Sequence, residues 1–121
     1  MQKTILTVDD SATIRELLRT SPVDMGYRVV QAGDGVSALE ALKREKPDVI
    51  ITDVNMPRLD GLAFIEALRQ DKANRATPVL VLTTETDQVL KDRARKAGAT
   101  GWIVKPFDPT KLADAIRRVT A

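Results

Sequence analysis

No cysteine occurs among the 121 residues, so the chain carries neither a disulfide framework nor a thiolate metal site, in keeping with a reducing compartment. Histidine is absent as well. That absence excludes every mechanism whose base, metal ligand or phosphoryl carrier is a histidine of this chain. No run approaches the roughly 20 apolar residues of a membrane-spanning helix. Met1-Gln2-Lys3-Thr4 leads directly into a strand-like segment without a signal-peptide core, so a cytoplasmic protein with no membrane insertion is expected. Low-complexity tracts, internal repeats and a linker are missing. Neither sign of charge dominates: 19 basic residues face 17 acidic ones, for a net charge of +2. They are scattered rather than clustered, and no nucleic-acid partner is expected. The length suits one domain over residues 1–121, with a core that needs no metal or disulfide staple.

Five runs rich in aliphatic and β-branched residues read as strands: Ile5–Val8, Arg28–Ala32, Val49–Thr52, Val79–Leu82 and Trp102–Val104. They are apolar nearly throughout rather than alternating, the pattern of strands covered on both faces in a parallel sheet. Helical stripes separate them, marked by Ile14, Leu17 and Leu18; Val36, Leu39 and Leu42; Ile65 and Leu68; Leu90, Ala94 and Ala97; and Leu112, Ile116 and Val119. Asp34 before Gly35, and Asp108 before Pro109, stand where a carboxylate caps a helix start. Gly26 and Gly98 stand where a helix closes in a left-handed residue. Right-handed crossovers then put helices on both faces of an open, doubly wound α/β domain.

One place resists that pattern. Ser21-Pro22 falls inside the first helix, where the proline ring conflicts with the carbonyl of Leu18. The expectation is a kink or a stop near Thr20, with Ser21 capping a short second turn that Gly26 closes.

Four of the apolar runs end in polar residues: Asp9 and Asp10, Asp53, Thr83, and Lys105. In a parallel sheet all of them emerge at one edge. Singly, each has an ordinary structural reading: the aspartates as helix caps or turn residues, Thr83 as a β-branched strand residue, Lys105 as a surface charge. Together they form a phosphoryl-transfer template. Clustered carboxylates repel one another unless a cation offsets them, which implies a hard divalent ion, Mg²⁺ above others. A carboxylate can attack a phosphoryl group when metal and ammonium offset the charge on the incoming oxygens, giving an aspartyl phosphate.

Val8-Asp9-Asp10-Ser11, Thr52 through Gly61, Leu82-Thr83-Thr84 and Val104-Lys105-Pro106-Phe107 resemble the signature of response-regulator receiver domains, with single-domain, CheY-like chemotaxis regulators as the nearest subgroup. The resemblance spans the chain and implies a flavodoxin-like (βα)₅ fold with strand order 2-1-3-4-5. It implies Asp53 as phosphoacceptor. Mg²⁺ would be held by Asp10, Asp53 and the backbone carbonyl of Asn55, with Asp9 acting mainly through coordinated water. Lys105 would pair with Asp53 and then with phosphoryl oxygens, Thr83 would shift toward the phosphoryl group, and Trp102 would be the switch aromatic, its other reading being a large packing anchor. Lys105-Pro106 resembles the family's cis peptide. Asn55 and Glu85 occupy positions that tune the lifetime of the phosphoryl group, and Thr84 departs from the usual Ala or Gly. Arg58 and Leu59 are read as loop surface.

The resemblance implies a phosphorylation-activated switch that receives its phosphoryl group from a CheA-like histidine kinase and catalyses only its own phosphorylation and dephosphorylation. The expected partners are that kinase, a flagellar motor switch protein and a phosphatase. With the last helix running to Val119–Ala121, no DNA-binding domain is expected to follow. Within the family the alternatives are a phosphate sink or an adaptor for another kinase system. From other classes they are an aspartyl-phosphate phosphatase and a flavodoxin-like FMN protein, against which the Asp9-Asp10 pair argues by repelling a phosphate.

Overall fold

The computed structural model describes residues 2–54, 58–84 and 88–120, apart from the side chain of Ser21. Five strands, β1 (Thr4–Val8), β2 (Arg28–Ala32), β3 (Val49–Asp53), β4 (Val79–Thr83) and β5 (Gly101–Val104), alternate with five helices. The helices are α1 (Ala12–Asp24), α2 (Gly35–Leu42), α3 (Gly61–Arg69), α4 (Gln88–Ala97) and α5 (Pro109–Thr120), with a single 3₁₀ turn at Lys72–Asn74. All pairings are parallel, in the order β2-β1-β3-β4-β5. The expected doubly wound fold is the observed one.

Strand side chains alternate between two cores, as the period of two requires. Leu6, Val8, Ile50, Val79 and Val81 pack under α2, α3 and α4 against Ala38, Ala41, Phe64, Ile65, Leu68 and Ala94. Ile5, Val49, Ile51, Leu80, Leu82 and Ile103 pack on the other side with Leu18 of α1 and with Leu112 and Ile116 of α5. The three inner strands are buried along their whole length. β2 and β5 are edges and only half covered. At the β2 edge Arg28 pairs with Glu45. α4 is the least anchored helix: Ala94 alone is fully buried, with Leu90 and Ala97 half-buried.

The expected helix starts and stops are present. Asp34 accepts from the amide of Ser37 at 2.8 Å, and Asp108 from that of Lys111 at 2.8 Å. Gly26 and Gly98 adopt φ of 91° and 114°.

Of the two expectations the stop near Thr20 is not there: α1 runs through Ser21-Pro22 to Asp24 as one helix. Only Val23 and Asp24 follow the proline inside the helix, so the ring disturbs a single terminal turn. Pro22 is buried, and its carbonyl accepts from the amides of Met25 (3.1 Å) and Tyr27 (2.9 Å). Those bonds turn the chain into β2 and offset the one the proline cannot make. Gly26 therefore closes one helix rather than a second short turn.

Candidate functional site

The carboxyl ends of β1, β3, β4 and β5 meet at one edge of the sheet. Asp53 and Thr83 are the last ladder residues of β3 and β4, registered against Leu82 and Val104. Asp9 and Asp10 follow β1, and Lys105 follows β5 with its amide bonded to the carbonyl of Thr83 at 2.7 Å. Carboxylate oxygens of Asp9, Asp10 and Asp53 lie within 4.8 Å of one another. Order along the chain and parallel pairing thus bring together the residues singled out from sequence.

Their environments differ. Asp9 is fully buried, with Oδ1 accepting the amide of Ser11 at 2.8 Å and Oδ2 accepting Lys105 Nζ at 3.2 Å. Asp10 is exposed, at the mouth of the cleft. Asp53 is buried; its Oδ1 accepts the amide of Val54 at 2.8 Å and lies 3.4 Å from Lys105 Nζ. Among the described residues its Oδ2 has no such bond, so one of the two oxygens is tethered and the other is not. Burial, and after it the negative charge of Asp9, push the Asp53 carboxyl above the ordinary carboxylate range, against the opposing pull of Lys105 and the Val54 amide. One ammonium shared by two buried carboxylates leaves the cluster short of positive charge. A hard cation with oxygen ligands fits that deficit, and Mg²⁺ suits a site offering a few carboxylates.

Thr83 is buried at the end of β4, between the positions of Asp53 and Lys105, and Thr84 beside it is exposed. Lys105-Pro106 is a cis peptide, as expected. The indole of Trp102 is half-buried; its Nε1 is enclosed without a hydrogen-bond partner among the described residues, and Lys91 Nζ stands 5.8 Å above the ring. Asn55 and Glu85 lie outside the described residues.

Three further side chains, none of them assigned to the site from sequence, help to build this edge. Arg15 donates to the carbonyl of Asp9 at 2.7 Å, from one turn into α1. Asp60 caps α3 through the amide of Ala63 at 2.9 Å, a role that its place just before a helical stripe could have signalled. Arg58, read as loop surface, forks onto Asp34: Nε and Nη2 each donate to one carboxylate oxygen at 2.9 Å, and Nη2 also reaches Ser37 Oγ at 3.1 Å. Arg58 does so at φ 67°, a conformation that costs a residue with a Cβ about 1 kcal/mol. No local signal marked the pair, because its members lie 24 residues apart.

Among the described residues no helix is long and apolar enough to cross a membrane. A family model, the response regulator receiver domain, matches residues 5–117. The probable transcriptional regulator ycf27 of Porphyridium aerugineum is 40% identical over 120 residues, which cover 98% of this chain and 49% of that protein. PdtaR of Mycobacterium tuberculosis, a transcriptional regulatory protein, is 42% identical over 113 residues, 93% of this chain and 54% of that one. The chain spans about half the length of the curated relatives it matches. Among solved structures, the chemotaxis response regulator CheY4 of Vibrio cholerae superposes with a TM-score of 0.94 at 43% identity, covering 98% of this chain and 99% of that one. The receiver domain of sensor histidine kinase PA1611 from Pseudomonas aeruginosa, described with a magnesium ion coordinated in its active site cleft, gives 0.91 at 27% identity, covering 99% and 98%. With the family model spanning nearly the whole chain and these relatives agreeing in fold and sequence, the chain belongs to the response regulator receiver domain family.

Proposed function

We propose that the chain is a phosphorylation-activated switch in which Asp53 takes a phosphoryl group from a phosphohistidine on a separate histidine kinase. The observation that carries this is the convergence of Asp9, Asp10 and Asp53 around a single ammonium, Lys105, at the sheet edge. In the transfer, Oδ2 of Asp53 forms the new bond to phosphorus as the P–N bond of the donor breaks, its electron pair returning to the donor imidazole. The Val54 amide and Lys105 hold Oδ1, which leaves Oδ2 to attack. Asp9, Asp10 and Asp53 would hold Mg²⁺, which when bound supplies positive charge to the carboxylates and the incoming phosphoryl oxygens. Lys105 then follows the new charge from Asp53 to the phosphoryl oxygens. The chain turns over nothing but its own phosphoryl group.

The output follows from the same edge. Thr83 at the end of β4 donates its hydroxyl to the phosphoryl group and moves toward it, and Trp102 repacks in response. α4, with one fully buried residue, is the element best able to shift. Between β5 and α5 a groove of about 400 Å³ lined by Trp102, Val104, Lys111 and Arg118, among others, offers a surface whose shape changes with the switch.

Coverage of CheY4 from end to end supports a chemotaxis role, with a flagellar motor switch protein as target. A receiver serving transcription control is the second reading, favoured by the names of the curated relatives. Acetyl phosphate with Mg²⁺ should place one acid-labile phosphoryl group on the wild type and none on Asp53→Asn; labelling that survives the substitution overturns the assignment. Partners captured on beryllofluoride-loaded protein separate the two readings.

A further inference from the structure

A chain of short contacts leads from Arg58 to the carboxylate of Asp53. Arg58 is forked onto Asp34, the capping residue of α2, as described above. Leu59, next in sequence, lies so close to the first residue of α2 that a Cβ on Gly35 would stand 2.5 Å from the Leu59 carbonyl oxygen. Residues 58 and 59 are thus pinned to the start of α2 by one ionic and one steric contact. Two residues on, the amide of Gly61 donates to the carbonyl of Val54 at 2.8 Å, and a Cβ on Gly61 would fall 2.0 Å from the carbonyl oxygen of Asp53. The Gly61 backbone therefore rests directly on the Asp53–Val54 peptide. That peptide carries the Val54 amide, whose bond to Oδ1 sets the rotation of the Asp53 carboxylate.

We propose that the Arg58–Asp34 pair positions Asp53 for phosphoryl transfer, acting through Gly61 and the Val54 amide; this rests on the reading of Asp53 as the phosphoacceptor. Three observations favour a positioning role over a stabilising one. The Arg58 side chain is 57% exposed while that of Asp34 is 14% exposed, and solvent screening at the arginine limits what the pair adds to stability. Arg58 holds a left-handed backbone that a glycine would adopt without strain. Asp34 caps α2 by accepting the Ser37 amide at 2.8 Å, a bond that involves no atom of Arg58. What the pair adds is a fixed distance between the loop after β3 and the neighbouring helix, and phosphoryl transfer depends steeply on such placement.

The test uses the full chain, acetyl phosphate as donor, and saturating Mg²⁺, with the initial rate of phosphoprotein formation and the melting temperature read for each variant. Arg58→Gly removes the fork and relieves the backbone. Asp34→Asn removes the charge and keeps a good capping residue. Each is expected to slow phosphorylation about fivefold or more while melting within about 3 °C of the wild type. The double variant should be no slower than the slower single one, because both remove the same contact. Arg58→Lys, which keeps the charge without the fork, should fall between. Single-variant rates within about twofold of wild type, or effects that multiply in the double variant, overturn the proposal. Asp53→Asn run alongside keeps the two questions apart: label on that variant refutes the acceptor, whereas label on Arg58→Gly at the wild-type rate refutes only the positioning.

Discussion

The ammonium of Lys105 lies 3.4 Å from Oδ1 of Asp53, although their strands, β5 and β3, are not neighbours in the sheet. The side chain reaches across the end of β4, where Thr83 stands. Asp53, Thr83 and Lys105 thus stand at three successive strand ends, which sets the proposed acceptor, sensor and counter-charge side by side.

Asp53 ionises at a cost that burial and Asp9 impose together. A carboxyl raised in the folded state favours folding below its unfolded pKa, about 3.9, and that contribution is lost as pH rises through the folded value. In metal-free buffer Asp53→Asn should therefore melt above the wild type at pH 7, with the gap closing as pH falls toward 4. Melts across that range check it, and a variant less stable at pH 7 would count against a destabilising acidic cluster.

Asp10 is the exposed member of the cluster and the one open to an ion arriving from solvent. Asp10→Asn should weaken Mg²⁺ binding by at least about tenfold, since one of the three carboxylates proposed to hold the ion is lost. Calorimetric titration of the whole chain measures it. Unchanged affinity would move the metal away from this edge.

Trp102 is the sole tryptophan, half-buried and lacking a partner for its Nε1 among the described residues. Beryllofluoride with Mg²⁺ should change its emission in the wild type and leave Thr83→Ala unaltered. No change in either protein would make Trp102 a packing anchor and nothing more.

Arg69 is half-buried with no carboxylate partner among the described residues; it donates instead to the carbonyls of Asn74, Thr77 and Gly98 at 2.6 to 3.3 Å. It joins the end of α3 to the turns before β4 and β5. Arg69→Ala should cost about 2–3 kcal/mol in urea unfolding, because three carbonyls lose a charged donor. Phosphorylation by acetyl phosphate should continue at the wild-type rate in the folded fraction.

Much of this was legible along the chain. Ile5–Val8, Val49–Thr52 and Val79–Leu82 announce buried strands by composition, and the residues that follow them announce the site. Strand ends shifted by one residue, enough to draw Asp53 and Thr83 into the ladder itself. Pro22 misled, because propensity counts the clash and the lost bond while burial and the Met25 and Tyr27 amides act from outside the helix. Arg58 and Arg69 gave no signal, since their acceptors come from other elements.

Sequence alone determined which residues stand at the carboxyl edge of a parallel sheet, because continuous apolar runs and the order of elements are local properties read along the chain. Tertiary structure alone decided that Lys105 serves both Asp9 and Asp53, that Asp9 is sealed while Asp10 is open, and that Arg58 is tied to Asp34. Those are distances between segments remote in sequence, and they follow from how helices and loops settle on the sheet rather than from the pattern of any one segment.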